Sequence, residues 1–252
     1  MGTIYVVANQ KGGVGKTTTC INTSVCLAEA GASVLLIDID AQCNATNGLG
    51  LHEVTSNTSY DVICGGASIT TAMMPTLYPQ LTVVPASPDL AGASVELPDR
   101  DRREFILSDA LREVVDSYDF IFIDCPPSLD LLTLNALVAA DKLIVPVQCE
   151  YYALEGLGHL LQTVEAVRQG LNPTLAISGL LMTMYDARTR LSSQVVQEVR
   201  SHFPDLTYNT VIPRNIRLSE APSFGMAISR YDPTCAGSDA YFDLASEVVD
   251  RE

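Results

Sequence analysis

The chain is poor in groups that could hold a metal unaided. It has three histidines in 252 residues, His52, His159 and His202, far apart in sequence. Its seven cysteines are scattered, odd in number and never form C-x-x-C. A protein-held zinc site is therefore not expected, and the thiols read as small buried residues of a reducing cytosol. No apolar run approaches the roughly eighteen residues of a membrane helix. The N-terminus enters an apolar stretch directly, without a basic segment or a cleavage site, so secretion is not expected. Positive charge is scarce too: 15 Lys and Arg stand against 30 Asp and Glu, a formal net charge of -15. Such a charge argues against indiscriminate nucleic-acid binding. No linker, repeat or low-complexity segment interrupts the chain, so residues 1–252 read as one domain.

What is present is an alternation of apolar strands and helical stretches. Strands are expected at 4–8, 33–38, 81–85, 119–124, 142–147, 175–184 and, briefly, 211–212. Helical stretches are expected from Thr19 to Gly31, at 60–64, 69–74, 102–118, 131–140, 154–168, 191–202 and 240–249. Strands that are apolar on both faces and alternate with helices imply an α/β fold. Its central sheet is mostly parallel and carries helices on both faces. Ligands of such sheets sit at the C-terminal strand ends.

The first strand runs into Lys11-Gly12-Gly13-Val14-Gly15-Lys16-Thr17-Thr18, and a helix follows. Glycines let backbone N–H groups converge on an anion, and the helix N-terminus adds its positive dipole end. Lys16 can reach terminal phosphates, and the Thr17 hydroxyl can ligate the accompanying magnesium. The strict G-x-x-x-x-G-K-[ST] pattern would place glycine at position 10, where Gln10 stands. A dinucleotide-binding turn fails, because Thr18 occupies its third glycine. A second lysine, Lys11, stands at the mouth of the loop.

Two other strands also end in acid. Asp124 falls where a P-loop protein holds magnesium, usually through water. Asp40, just beyond its strand, suits orienting an attacking water. Asp38, nearer the sheet, suits metal or loop support. Thr17, Asp40 and Asp124 are thus the candidate metal residues, and Lys16 and Asp40 candidate catalytic ones. Charge is also uneven. Between Tyr185 and Arg230 six arginines face four acids, a local balance of +2 on an acidic chain. A locally basic face of this kind can meet phosphate.

With these residues in view, the chain resembles the deviant Walker A ATPases of the ParA/MinD group. The likeness is carried by the phosphate loop, Asp38-Ile39-Asp40-Ala41-Gln42 and Phe122-Ile123-Asp124-Cys125-Pro126-Pro127-Ser128. Two further runs are similar to the chromosomal ParA (Soj) branch: 181–189, and the fourteen residues from Ile212 to Gly225. The resemblance implies a P-loop NTPase that uses ATP and Mg2+. It implies an ATP-bound homodimer in which Lys11 reaches the partner's phosphates. It also implies non-specific binding to double-stranded DNA, and hydrolysis stimulated by a ParB-type partner. Residues matching the family's DNA contacts are Arg188 and Arg217, with Arg190, Arg214 and Arg230 as neighbours. Adenine contacts match Met184, Pro213 and Asn215. The expected location is cytoplasmic and nucleoid-associated.

One departure is Ala41, where the family commonly has proline, and this would loosen the loop carrying Asp40. Among rivals, a MinD-like membrane ATPase would end in a basic amphipathic helix. Here the last fourteen residues, from Asp239, are acidic. An orphan ParA-like ATPase that positions a plasmid or another cargo by the same cycle is the alternative that remains.

Overall fold

In a computed structural model of the chain, described over residues 2–151 and 153–252, eight strands form one sheet. They are β1 (Thr3–Val7), β2 (Val34–Asp38), β3 (Met74–Pro75), β4 (Leu81–Val84), β5 (Phe120–Asp124), β6 (Lys142–Gln148), β7 (Ala176–Tyr185) and β8 (Thr207–Pro213). The order across the sheet is β3-β4-β2-β5-β1-β6-β7-β8. Pairing is parallel except between β3 and β4 at one edge. The longer helices are α1 (Lys16–Glu29), α2 (Leu131–Ala139), α3 (Ala153–Gly170), α4 (Arg190–His202) and α5 (Ala236–Asp250).

Successive strand residues point to opposite faces, so a continuous apolar run supplies two cores. Ile4, Val6, Leu35, Ile37, Ile121 and Ile123 pack on one face with Leu160 of α3 and Val199 of α4. Tyr5, Val7, Leu36 and Phe122 pack on the other face with Ile21 of α1 and Leu244 of α5. Full burial of each such aliphatic chain contributes about 1.5–3 kcal/mol. The buried face of α5 carries Tyr241, Leu244, Ala245 and Val248, so its apolar stripe is covered within the subunit. Among the described residues no helix is long and apolar enough to cross a membrane.

Where the structure departs from the periodicity, a local cause is visible. The helix expected over 102–118 is reduced to Ile106–Leu111, with a separate turn at Val115–Ser117. Arg102 has φ 53°, which no right-handed helix accommodates. The expected helix at 69–74 is one turn, Ile69–Thr71, followed by edge strand β3. The last strand, expected at 211–212, spans seven residues because Thr207 and Tyr208 are buried beside β7. Short helices at Asn44–Gly48, Ile216–Glu220 and Ile228–Tyr231 give too few turns to show a period.

The topology sets the site. Register places Val7 and Asp38 on either side of Asp124, so the loops leaving β1, β2 and β5 adjoin. From β1 the chain crosses beyond β5 to reach β2, whereas β6 lies on the other flank of β1. That is a topological switch point, where a doubly wound sheet opens a crevice. Beside it, Gly50 (φ 81°) and Gly225 (φ 64°) meet backbone to backbone. A Cβ on Gly225 would lie 2.6 Å from the Gly50 Cα.

Candidate nucleotide site

The phosphate loop is built as its composition requires. Gly13 and Gly15 take φ 72° and 91°, the left-handed region that a side chain would resist. Gly15 caps α1 with no side-chain acceptor, and the first turn of α1 holds no acid. The free N–H groups of that turn are therefore available to an anion. Two residues that sequence reasoning missed hold the loop from outside. The Asn9 amide donates to the Pro146 carbonyl at 2.7 Å, and its Oδ1 accepts from the Lys11 N–H at 3.0 Å. The Thr183 hydroxyl donates to the Val14 carbonyl at 2.8 Å. The only sequence signal for Asn9 was a polar residue at the end of an apolar strand.

Lys16 is buried, and its Nζ donates to the Lys11 carbonyl at 3.2 Å. Burial lowers its pKa, and the nearby Asp124 opposes that shift. A desolvated ammonium held by one neutral carbonyl is ready to exchange it for phosphate oxygens. Lys11 is half-exposed and pairs with Glu150 at 3.0 Å. Gly12 and Gly13 form the exposed turn of the loop, with Val14 buried behind them.

The three aspartates divide into two kinds. Asp38 is well satisfied: its oxygens accept from the Asp40 N–H at 3.1 Å, the Thr46 N–H at 2.9 Å and the Thr46 hydroxyl at 2.7 Å. Burial still pushes its pKa up to about 6. Both oxygens are thus engaged in holding the loop, three bonds in all. Asp40 is 7% exposed and closes its turn by accepting from the Gln42 N–H at 2.9 Å. The Cys43 N–H donates to the Asp40 carbonyl at 2.8 Å, so the turn is closed although Ala41 replaces the usual proline.

Asp124 is fully buried and neither of its oxygens has a hydrogen-bond partner. Burial first, then the charge of Asp38, pushes its pKa up, while Thr17 lies close enough to favour the charged form. Two orphaned carboxylate oxygens beside a hydroxyl and an ammonium fit a hard divalent cation arriving with phosphate. Thr17 and Asp124 would hold that magnesium, with Asp40 at its edge.

Beyond α1 opens a cavity of about 440 Å³, a common size for a small-molecule site. Gly15, Thr17 and Thr18 of the phosphate loop and helix start line it, together with Met184, Pro213, Asn215, Ile212 and Leu218. The loop and the expected adenine contacts thus share one cavity. Met184 has φ 52°, a strained backbone of the kind that gathers at ligand sites. Asn22 and Tyr241 also line the cavity and were not foreseen, because their contribution depends on how α1 and α5 pack.

The five arginines named from the sequence are all exposed. Arg188 pairs with Asp186 at 2.7 Å, which holds that carboxyl down at about pH 2. Arg217 pairs with Glu220 at 2.9 Å and Asp232 at 3.4 Å. Arg214 lines the cavity, Arg190 begins α4, and Arg230 lies in the short helix Ile228–Tyr231.

Comparison with known proteins agrees with this geometry. A family model described as an AAA domain matches residues 2–177. The chromosome-partitioning ATPase Soj of Treponema pallidum is 53% identical over 252 residues, covering 100% of this chain and 99% of its own. The chromosome partitioning protein ParA of Caulobacter vibrioides is 52% identical over 252 residues, covering 99% of this chain and 94% of its own. A Mycobacterium smegmatis protein named cobyrinic acid a,c-diamide synthase, crystallised with ADP and magnesium, superposes with a TM-score of 0.84. It is 38% identical and covers 98% of this chain and 93% of its own. With a phosphate loop opening on Lys16-Thr17 and an orphaned Asp124 beside it, the chain belongs to the ParA/MinD family of P-loop ATPases, in its Soj branch, with ATP and magnesium as cofactors.

Proposed function

We propose that this ATPase partitions chromosomal or plasmid DNA by switching between a free subunit and an ATP-bound dimer. Lys16 leaves the Lys11 carbonyl for the terminal phosphates, and the N–H groups of the loop surround them. Magnesium, when bound, neutralises charge shared between the terminal phosphates. Thr17 and Asp124 hold it, and Asp40 orients the attacking water. Lys11, on the exposed turn, reaches the ATP of a second copy. Gly13 favours that close approach: it is exposed, and no atom lies within 4 Å of where a Cβ would stand.

The dimer binds double-stranded DNA without sequence preference through Arg188 and Arg217, with Arg190, Arg214 and Arg230 around them. A ParB-type partner stimulates hydrolysis, and the separated subunits release DNA. The protein is then cytoplasmic and associated with the nucleoid. The observation that carries this reading is placement: Met184 and Asn215 line the nucleotide cavity, and Arg188 and Arg217 follow on the same segments. The test is co-sedimentation with duplex DNA in ATP against ADP, at two salt concentrations. Binding is expected with ATP alone, weaker at high salt, and lost in Arg217→Ala while the ATP dimer persists. Equal binding with ADP would remove the switch from the proposal.

A further inference from the structure

We infer that Asp186, Glu220 and Asp232 are built-in competitors of DNA phosphate, holding the two principal DNA-facing arginines until phosphate displaces them. The inference rests on the DNA-binding reading above and adds the residues that set the strength of that binding. The Arg188 side chain is 87% exposed, yet its Nε and Nη2 donate to both oxygens of Asp186 at 2.9 and 2.7 Å. The Asp186 side chain is only 16% exposed, and its Oδ1 also accepts from the Arg188 backbone N–H at 3.0 Å. The acid is thus fixed by the turn, while the arginine reaches outward over it.

Arg217, on a separate segment, is also held, by one oxygen of each of two acids. Its Nη1 lies 2.9 Å from Glu220 and its Nε 3.4 Å from Asp232. The Tyr231 hydroxyl donates to the same Glu220 oxygen at 3.1 Å. A carboxylate offers arginine the same paired oxygen edge that phosphate offers. Phosphate binding at either arginine therefore exchanges one anion for another. The displaced carboxylate stays beside the DNA, repels it and takes up a cation from solution. Binding is weakened, and its salt dependence is shallower than the number of arginines suggests. A chain of net charge -15 that also presents paired arginines gains a DNA contact that is readily reversed.

The experiment measures affinity for a short fluorescent duplex in saturating ATP, between about 50 and 200 mM salt. Asp186→Asn can keep the oxygen that accepts from the Arg188 N–H while removing the charge and one acceptor facing the guanidinium. Glu220→Gln does the same for Tyr231, and the two are also combined. Arg188→Ala and Arg217→Ala run in parallel, and size exclusion in ATP confirms that every variant still dimerises. Each neutralised acid is expected to tighten binding about threefold to fivefold at low salt. The slope of log affinity against log salt should also steepen. If the arginine variants lose DNA while Asp186→Asn and Glu220→Gln bind no tighter than wild type, the competitor role is overturned and DNA binding stands. If the arginine variants bind like wild type, the DNA-binding reading itself falls, and this inference with it.

Discussion

Replacing Asp124 by asparagine should make the empty protein more stable and the loaded protein less so. Asp124 is fully buried, its oxygens have no partner, and its register neighbour is another buried acid, Asp38. A buried carboxylate that accepts no hydrogen bond and is only partly offset by Lys16 costs several kcal/mol, whereas an isosteric amide without partners costs about 1–3 kcal/mol. The difference favours the variant by about 2 kcal/mol in the absence of nucleotide and metal. For a chain of 252 residues that is a rise of about 4–8 °C in melting temperature.

The pH dependence follows from the sign of the shift. Folding raises the Asp124 pKa above its ordinary 3.8. The folded state then binds more protons than the unfolded state just above that value, and stability is lost as pH rises toward the folded pKa. The advantage of the variant should therefore be present at pH 7 and vanish below about pH 4. Saturating Mg-ATP should reverse the order. Ligand at about a hundred times its dissociation constant stabilises wild type by about 2.7 kcal/mol, and the variant lacks the carboxylate proposed to receive the metal. Urea titrations at both pH values, with and without Mg-ATP, read all of this. An empty Asp124→Asn protein less stable than wild type at pH 7 would show that the carboxylate is satisfied within the fold, and the magnesium argument would lose its footing.

Lys16→Ala should weaken ATP binding by at least about tenfold in calorimetry, because it removes a charged hydrogen-bond donor from the phosphates. Asp40→Ala should still bind ATP and dimerise, with hydrolysis slowed about a hundredfold in a phosphate-release assay; loss of ATP binding would move Asp40 to the metal or the fold. Gly225→Ala should lower stability by about 2–4 kcal/mol in denaturant titration, combining left-handed backbone strain with contact against Gly50. A neutral result there would mean that the two loops separate easily.

The sheet and the phosphate end of the site were legible because their signals are local. A strand apolar on both faces, a glycine run and a Gly15-Lys16-Thr17 helix start each declare themselves within a few residues. Asp124 was legible as an acid closing an apolar run. The supports of the loop were not, because their partners are remote. Asn9 meets Pro146 across 137 residues of chain, and Thr183 meets Val14 across 169. The division of labour between Asp38 and Asp124 was equally hidden, since both end apolar strands and only the presence of Thr46 separates them. The overlong helix at 102–118 fails for another reason: hydrophobic spacing carries no information about the backbone sign at Arg102. Asp186 and Glu220 were visible only in a charge count, in which pairing cannot be seen, and Asp232 fell outside the counted stretch.

The meeting of Gly50 with Gly225 has a mechanical consequence. Gly50 closes the short helix that follows the Asp40 turn, and Gly225 closes the segment that carries Arg217. Two backbones in contact without side chains between them behave like meshed teeth with no backlash. In the proposed cycle, a displacement of the Asp40 turn would reach the Arg217 segment with no slack to take up first.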